Sequence, residues 1–210
     1  MNATRNALAS ILLLAVLLSA CTVTANNKNP PTDKKWLHNL VCNFPCWQNI
    51  TPQETSFDDV LPILQKENIG IDFIGTDVIS FQFNNLSGSA YKAMDGKVSF
   101  IVLAVIGQKI SLGDIVQITG YPEQVAFGLN PFDTSKCNAS AVFQNSGTIL
   151  DFYLENENRS GSKCQINFNS DSLVFRIVLI GRDFNQSMFW KNSSYSNLDY
   201  IEWKGYGEYP

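Results

Sequence analysis

Apolar and polar residues alternate along several short segments of the chain. In residues 78–83, Phe81 and Phe83 alternate with Ser80 and Gln82, which predicts a strand with one buried face. Further along, Asp95-Gly96 is a strong signal for a two-residue hairpin turn. The strands predicted in this part of the chain are residues 78–83, 89–94 and 97–105.

The second half of the chain contains more segments of this kind. Residues 98–105 and 173–180 are almost entirely apolar, which predicts central strands covered on both faces. The strands predicted after residue 120 are residues 139–144, 148–154, 164–168 and 173–180.

Two segments have helical periodicity, and they match each other. Residues 56–63 and 111–118 each begin with a serine that is followed three positions later by an aspartate, which is a capping-box pattern. Pro62 shortens or kinks the first helix, whereas Gly120 and Pro122 end the second. The sequence therefore predicts an α+β fold. Two tandem helix-plus-antiparallel-meander repeats, starting near residues 50 and 107, form one sheet with the helices packed on one face.

Residues 1–20 have the pattern of an export signal peptide. An apolar run follows Arg5 and is too short to span a bilayer comfortably. It ends at Leu18-Ser19-Ala20-Cys21, which resembles the bacterial lipobox. That resemblance implies cleavage before Cys21 and lipidation, including palmitate, of its thiol. The alternative is a plain secretory leader followed by a coincidental cysteine.

Composition divides the remainder into a tether and one domain. Residues 21–35 are the lipidated cysteine and a polar, flexible tether, and apolar residues begin at Trp36. Residues 36–210 are predicted to be a single domain. The net charge of −4, without a basic block, argues against a nucleic-acid partner.

Four cysteines remain once Cys21 is lipidated. An even number in an exported chain predicts two disulfides. Three connectivities are possible, and proximity along the chain favours Cys42–Cys46 together with Cys137–Cys164.

A metal or redox site is the alternative function for the first cysteine pair, because His38, Cys42 and Cys46 are spaced by four. Zinc sites usually have four ligands and closer cysteine pairs, and Pro45 interrupts any helix that would present all three side chains. We therefore expect a small disulfide loop, with no metal and no cofactor.

Aromatic residues are concentrated near the C-terminus. One explanation is a segment that covers the sheet, and the other is a binding surface, since Tyr and Trp are enriched where proteins bind partners. The candidates for that surface are Trp190, Tyr195, Tyr200, Trp203 and Tyr206.

Catalytic motifs are absent from the sequence. No glycine-rich phosphate loop follows a strand, and there is no Gly-x-Ser-x-Gly elbow. A glycosidase would need two acids in one cleft, and nothing singles out the available residues Asp72, Asp77, Glu155 and Glu157. We predict no catalytic residues and no enzymatic activity.

Short motifs resemble known envelope proteins. Ile50-Thr51-Pro52 before the first helix, and the segment 111–122 with its Gly120-Tyr121-Pro122 ending, resemble the helix-then-hairpin motif of the SmpA/OmlA-like lipoproteins of the outer-membrane barrel-assembly machinery. The two-repeat architecture is similar to that of β-lactamase-inhibitor-type proteins. Residues 45–52 also resemble a Pro-Cys-Trp-x-x-Ile-Thr-Pro motif of uncharacterised bacterial lipoproteins.

Together these patterns predict a lipid-anchored protein outside the cytoplasm, with a non-catalytic binding or scaffold role in the cell envelope. Its expected partners are the membrane, through the lipid, and an envelope protein. The first alternative is an inhibitor or ligand-binding module that uses the sheet face and the C-terminal aromatics. The second is a hydrolase of envelope polymers.

Overall fold

The computed structural model describes residue 37 and residues 42–129, 137–152, 158–160, 163–181 and 198–209. The predicted signal peptide, the lipidation site Cys21, the tether and His38 lie outside these residues, as do Trp190 and Tyr195. The structure therefore bears on the described residues alone.

The described residues form mainly β-strands, with two short helices. The helices are α1 (Phe57–Lys66) and α2 (Leu112–Thr119). The strands are β1 (Gly70–Ile74), β2 (Val78–Phe83), β3 (Leu86–Lys92), β4 (Val98–Val105), β5 (Ile110–Ser111), β6 (Gln124–Leu129), β7 (Cys137–Phe143), β8 (Thr148–Phe152), β9 (Asn158–Ser160), β10 (Lys163–Phe168), β11 (Leu173–Leu179), β12 (Asp199–Glu202) and β13 (Gly207–Tyr209).

Ten strands form one antiparallel sheet. Its order is β1-β2-β3-β4-β11-β8-β7-β6-β12, and the short β5 also pairs with β11. A separate three-stranded sheet has the order β13-β10-β9. Strand β11 lies between β4 and β8, where Ile177 pairs with Leu103 on one side and with Leu150 on the other. The late apolar strand therefore joins the two halves of the sheet, as expected for a central strand.

The predicted α+β fold with two helix-plus-meander repeats is wrong, because the fold is mostly antiparallel β-sheet. The capping-box motif of α2 does form: the Ser111 amide donates to Asp114 at 2.8 Å, and the Asp114 amide donates to the Ser111 hydroxyl at 3.3 Å. The Ser56 side chain makes no such bond at α1. A cap fixes where a helix begins but not how much of the fold is helical. The matching caps therefore did not indicate a repeated domain.

Strands β2 to β4 have one buried face. Residues such as Phe81 and Leu103 are fully buried, whereas their neighbours along each strand are half-buried or, at Gln82, exposed. Fully buried Trp47 stacks on Phe81 with ring centroids 4.7 Å apart. Phe81 in turn lies over Gly88 on the adjacent strand, where the atoms of its ring leave no room for a Cβ. Gly88 is thus required by the close approach of this ring.

The other half of the sheet is buried on both faces. All five residues of β8 are buried, as are six of the seven residues of β7. One face belongs to the main core, which also includes the apolar sides of both helices. The opposite face contains a smaller cluster of buried residues, Ala126, Val142, Ile149, Val178, Ile180 and Leu198.

Both predicted disulfides are confirmed. Cys42 is bonded to Cys46, and Cys137 to Cys164, with Cα atoms 5.6 and 5.9 Å apart. The first closes a small loop before Trp47. The second joins β7 of the large sheet to β10 of the small one. It therefore couples the two sheets covalently.

Candidate binding surface

The C-terminal segment connects the two sheets. Strand β12 pairs with β6 at the edge of the large sheet, and the Trp203 amide extends this pairing by donating to the Glu123 carbonyl at 2.9 Å. Strand β13 pairs with β10 in the small sheet, placing Tyr209 opposite Ile166. The turn between β12 and β13, residues 203–206, is therefore held at both ends.

Tyr209 fixes the conformation of this turn. Tyr209 is only 3% exposed. Its hydroxyl accepts a hydrogen bond from the Lys204 amide at 2.9 Å and donates one to the Gly205 carbonyl at 2.8 Å. The φ angle of Gly205 is +99°, which side-chain-bearing residues rarely adopt. A buried phenol thus satisfies two backbone groups of a turn that lies at the surface.

Three aromatic residues in and beside this turn form what we call the aromatic patch: Tyr121, Trp203 and Tyr206. Tyr206 meets Trp203 with ring centroids 5.5 Å apart at 85°, and Tyr121 at 6.3 Å and 70°. Trp203 is half-buried and stacks on Tyr209 at 5.9 Å. By contrast, 62% of Tyr121 and 41% of Tyr206 remain exposed. The patch therefore has a half-buried base, Trp203, and an exposed rim.

A cavity of about 330 Å³ lies next to Tyr206. Its lining includes Lys204, Glu208 and the two glycines Gly205 and Gly207. Lys204 and Glu208 are exposed, so one cation and one carboxylate border the same opening. Partial burial is the main factor that raises the pKa of Tyr206 above its ordinary value, and the neighbouring Tyr121 adds to it.

The structure tests three of the five aromatic candidates. Trp203 and Tyr206 belong to the aromatic patch, whereas Tyr200 does not. By its register Tyr200 points to the face opposite Ile201 and Trp203. Trp190 and Tyr195 lie outside the described residues. Tyr121 was missed by the sequence analysis, although its place between Gly120 and Pro122, just after a helix end, is typical of an exposed turn.

Tyr200 belongs instead to a polar row across the sheet. Pairing places Tyr200, Ala126, Ser140, Asp151 and Arg176 side by side on neighbouring strands. The Ser140 hydroxyl donates to Asp151 at 2.6 Å, and the Arg176 Nε donates to the same carboxylate at 2.5 Å. Desolvation, followed by the charge of Asp151, raises the pKa of Tyr200 far above its ordinary value of 10.0.

We predict that Tyr200 titrates last among the described tyrosines whose pKa is shifted. Because its folded pKa is raised, its contribution to stability is fully present below pH 10 and declines as the pH rises further. The formation of tyrosinate can be followed by ultraviolet absorbance as the pH rises. Compared with the unsubstituted protein, the titration curve of Tyr200→Phe should lack a component with a midpoint above 10.0. Tyr200 is 38% exposed, so its desolvation is partial, and loss of a component at the ordinary midpoint would contradict the raised pKa of this side chain.

The described residues show no candidate metal site. They contain no group of three or more His, Cys, Asp or Glu residues that could hold a metal ion. Asp72 and Asp77 are exposed on β1 and in the turn after it, and Glu155 and Glu157 lie outside the described residues. In the same part of the chain, no helix is both long enough and apolar enough to cross a membrane.

Comparison with known proteins gives no relative from which to transfer a function. No protein-family model matches the chain, and no curated protein or solved structure is similar enough to count as a match. The functional interpretation therefore depends on the geometry of the chain itself.

Proposed function

We propose that this protein is a non-catalytic binding module, held at the outer side of a membrane by lipid on Cys21. The observation that carries the binding role is the aromatic patch. Two of its rings are exposed, by 62% at Tyr121 and 41% at Tyr206, while the turn beneath them is fixed by Tyr209 and by strand pairing at both ends. Such a surface loses little conformational freedom on binding, which is the general advantage of preorganisation.

Exposed aromatic rings are a departure from ordinary packing in this chain. Most large apolar residues of the described segments are buried in the main core. Tyr and Trp at a surface combine a large apolar area with a polar group, which suits them to recognition. An exposed ring contributes less to the stability of the fold than a buried one. A role in binding would explain why these rings are exposed.

The lipid anchor rests on the signal-peptide pattern and on Cys21. The two disulfides support a location outside the cytoplasm, because such bonds persist in oxidising compartments and are rare in reducing ones. The polar tether of residues 21–35 would let the folded domain reach ligands at some distance from the lipid surface.

The binding surface is tested by removing one exposed ring. We expect Tyr206→Ala to weaken retention of the detergent-solubilised full chain on delipidated envelope from the producing cells by about thirtyfold or more, since truncating an aromatic hot spot costs about 2 kcal/mol or more. The matched control is Phe73→Ala, which removes an aromatic residue that is 56% exposed on β1, outside the patch. Equal retention of Tyr206→Ala and the unsubstituted protein would contradict the proposed binding surface.

The anchor is tested by mass spectrometry of the membrane-extracted protein. We expect a mature chain that begins at acylated Cys21, and no incorporation of labelled fatty acid into Cys21→Ser. Thr22→Ser, at the next position, should be acylated normally. A different mature N-terminus, or labelling of Cys21→Ser, would refute the anchor.

A further inference from the structure

We infer that the aromatic patch and the adjoining cavity bind a saccharide chain. This inference rests on the proposed function, because it names the class of ligand that the same surface takes. It follows from the way exposed rings and charged side chains are combined around one opening.

A sugar ring has an apolar face of C–H groups and a polar perimeter of hydroxyls. It therefore needs an aromatic ring that is not already stacked. Tyr206 meets both of its aromatic neighbours nearly edge-to-face, at 85° and 70°, and neither of them stacks on it. Tyr206 is 41% exposed and lines the cavity, so its ring can stack on such a face.

The perimeter of a sugar needs donors and acceptors of hydrogen bonds. Lys204 supplies only donors and Glu208 only acceptors, and both line the cavity beside Tyr206. Gly205 and Gly207 have no side chains, so the backbone there is open to close approach. A ligand with many hydroxyls can use both kinds of group at once.

The size of the cavity limits what enters it. At about 330 Å³ it lies at the lower end of the range for small-molecule sites, roughly 300–1,000 Å³. It would hold one or two rings of a longer chain, and the exposed ring of Tyr121 extends the aromatic surface beyond it.

Other ligands that stack on aromatic rings fit less well. Nucleic acid requires cationic contacts to phosphate, whereas the chain has a net charge of −4 and Glu202 and Glu208 are exposed near the patch. A quaternary ammonium could pair with Glu208 but offers no acceptor for the donors of Lys204, which lines the same opening. Proline-rich peptides dock in apolar grooves lined by aromatic rings and do not require a cation and a carboxylate at the rim.

The test uses competition for the retention assay described above. Delipidated envelope is digested exhaustively with proteinase to give a soluble, saccharide-containing extract. This extract is added as a competitor while the full chain binds delipidated envelope that has not been digested. We expect this extract to displace the protein. We also expect the potency of the extract as a competitor to fall at least tenfold after trifluoromethanesulfonic acid has cleaved the glycosidic bonds in the extract.

The outcomes separate this inference from the proposed function. Displacement that depends on intact glycosidic bonds supports a saccharide ligand. If Tyr206→Ala loses retention but the proteinase-treated extract does not compete, the binding function stands and the saccharide inference is wrong. Competition that survives cleavage of the glycosidic bonds also overturns it, in favour of a peptide or another stable component.

Discussion

Replacing Arg176 with methionine should destabilise the protein by about 3 kcal/mol, the lower part of the range for breaking a buried ion pair by removing one partner. Asp151 is 3% exposed and lies opposite Arg176 on the adjacent strand. Without the guanidinium, a carboxylate charge remains in the sheet interior, and desolvation opposes that charge. We expect the lower part of the range because 36% of the Arg176 side chain is exposed, so water already screens the pair. Urea denaturation monitored by circular dichroism gives the free energy of unfolding.

Two further variants make this result specific. Asp151→Leu combined with Arg176→Met removes both charges and should recover most of the lost stability, because apolar residues of similar size often replace buried pairs at little cost. Lys97→Met removes an exposed cation and should change the free energy of unfolding by less than about 0.5 kcal/mol. If Arg176→Met behaved like Lys97→Met, the ion pair would contribute nothing measurable to the fold.

Local patterns in the sequence predicted local structure well. The Asp95-Gly96 signal corresponds to the connection between β3 and β4, where Gly96 has a φ of +83° and the Lys97 amide donates to the Asp95 side chain. Locality also predicted both disulfides. In each of these cases the partner is the nearest one available along the chain, so few alternative pairings compete.

The order of strands could not be predicted in the same way. Strand β11 is inserted between β4 and β8, which separates two segments that the repeat hypothesis had treated as equivalent units. Nearly all residues of β4, β8 and β11 are apolar apart from the pair Asp151 and Arg176. Many arrangements of such strands satisfy an apolar pattern, and the choice depends on packing across long sequence separations.

The candidate site was predicted in part for a related reason. The density of aromatics near the C-terminus pointed to Trp203 and Tyr206, but composition does not say which side chains share a face. Because side chains alternate between the two faces along β12, Tyr200 lies on the face of the sheet opposite Trp203. Pairing of β12 with β6 brings in Tyr121 from a loop far earlier in the chain. A patch assembled across strands is visible only once the register is known.

Removing the Cys137–Cys164 disulfide with a double alanine substitution should destabilise the protein by about 3.5 kcal/mol at 25 °C. In the chain-entropy treatment the effect grows with the length of the closed loop, and these cysteines are 27 residues apart. The Cys42–Cys46 bond, with a separation of 4, provides a matched control and should contribute about 2 kcal/mol. Denaturant unfolding of each double variant, under non-reducing conditions, measures both values.

The position of the longer crosslink makes a second observation possible. Because Cys137 lies on β7 and Cys164 on β10, the bond holds the small sheet, and with it Tyr209 and Trp203, against the large one. Its loss should therefore make the fluorescence of Trp203 more accessible to iodide quenching at denaturant concentrations where the fold persists. Loss of the Cys42–Cys46 bond should leave that quenching unchanged, since the loop it closes precedes Trp47, which packs on Phe81 of β2. Equal destabilisation by the two double variants, with equal quenching, would show that loop length and the link between the sheets do not determine what these bonds contribute.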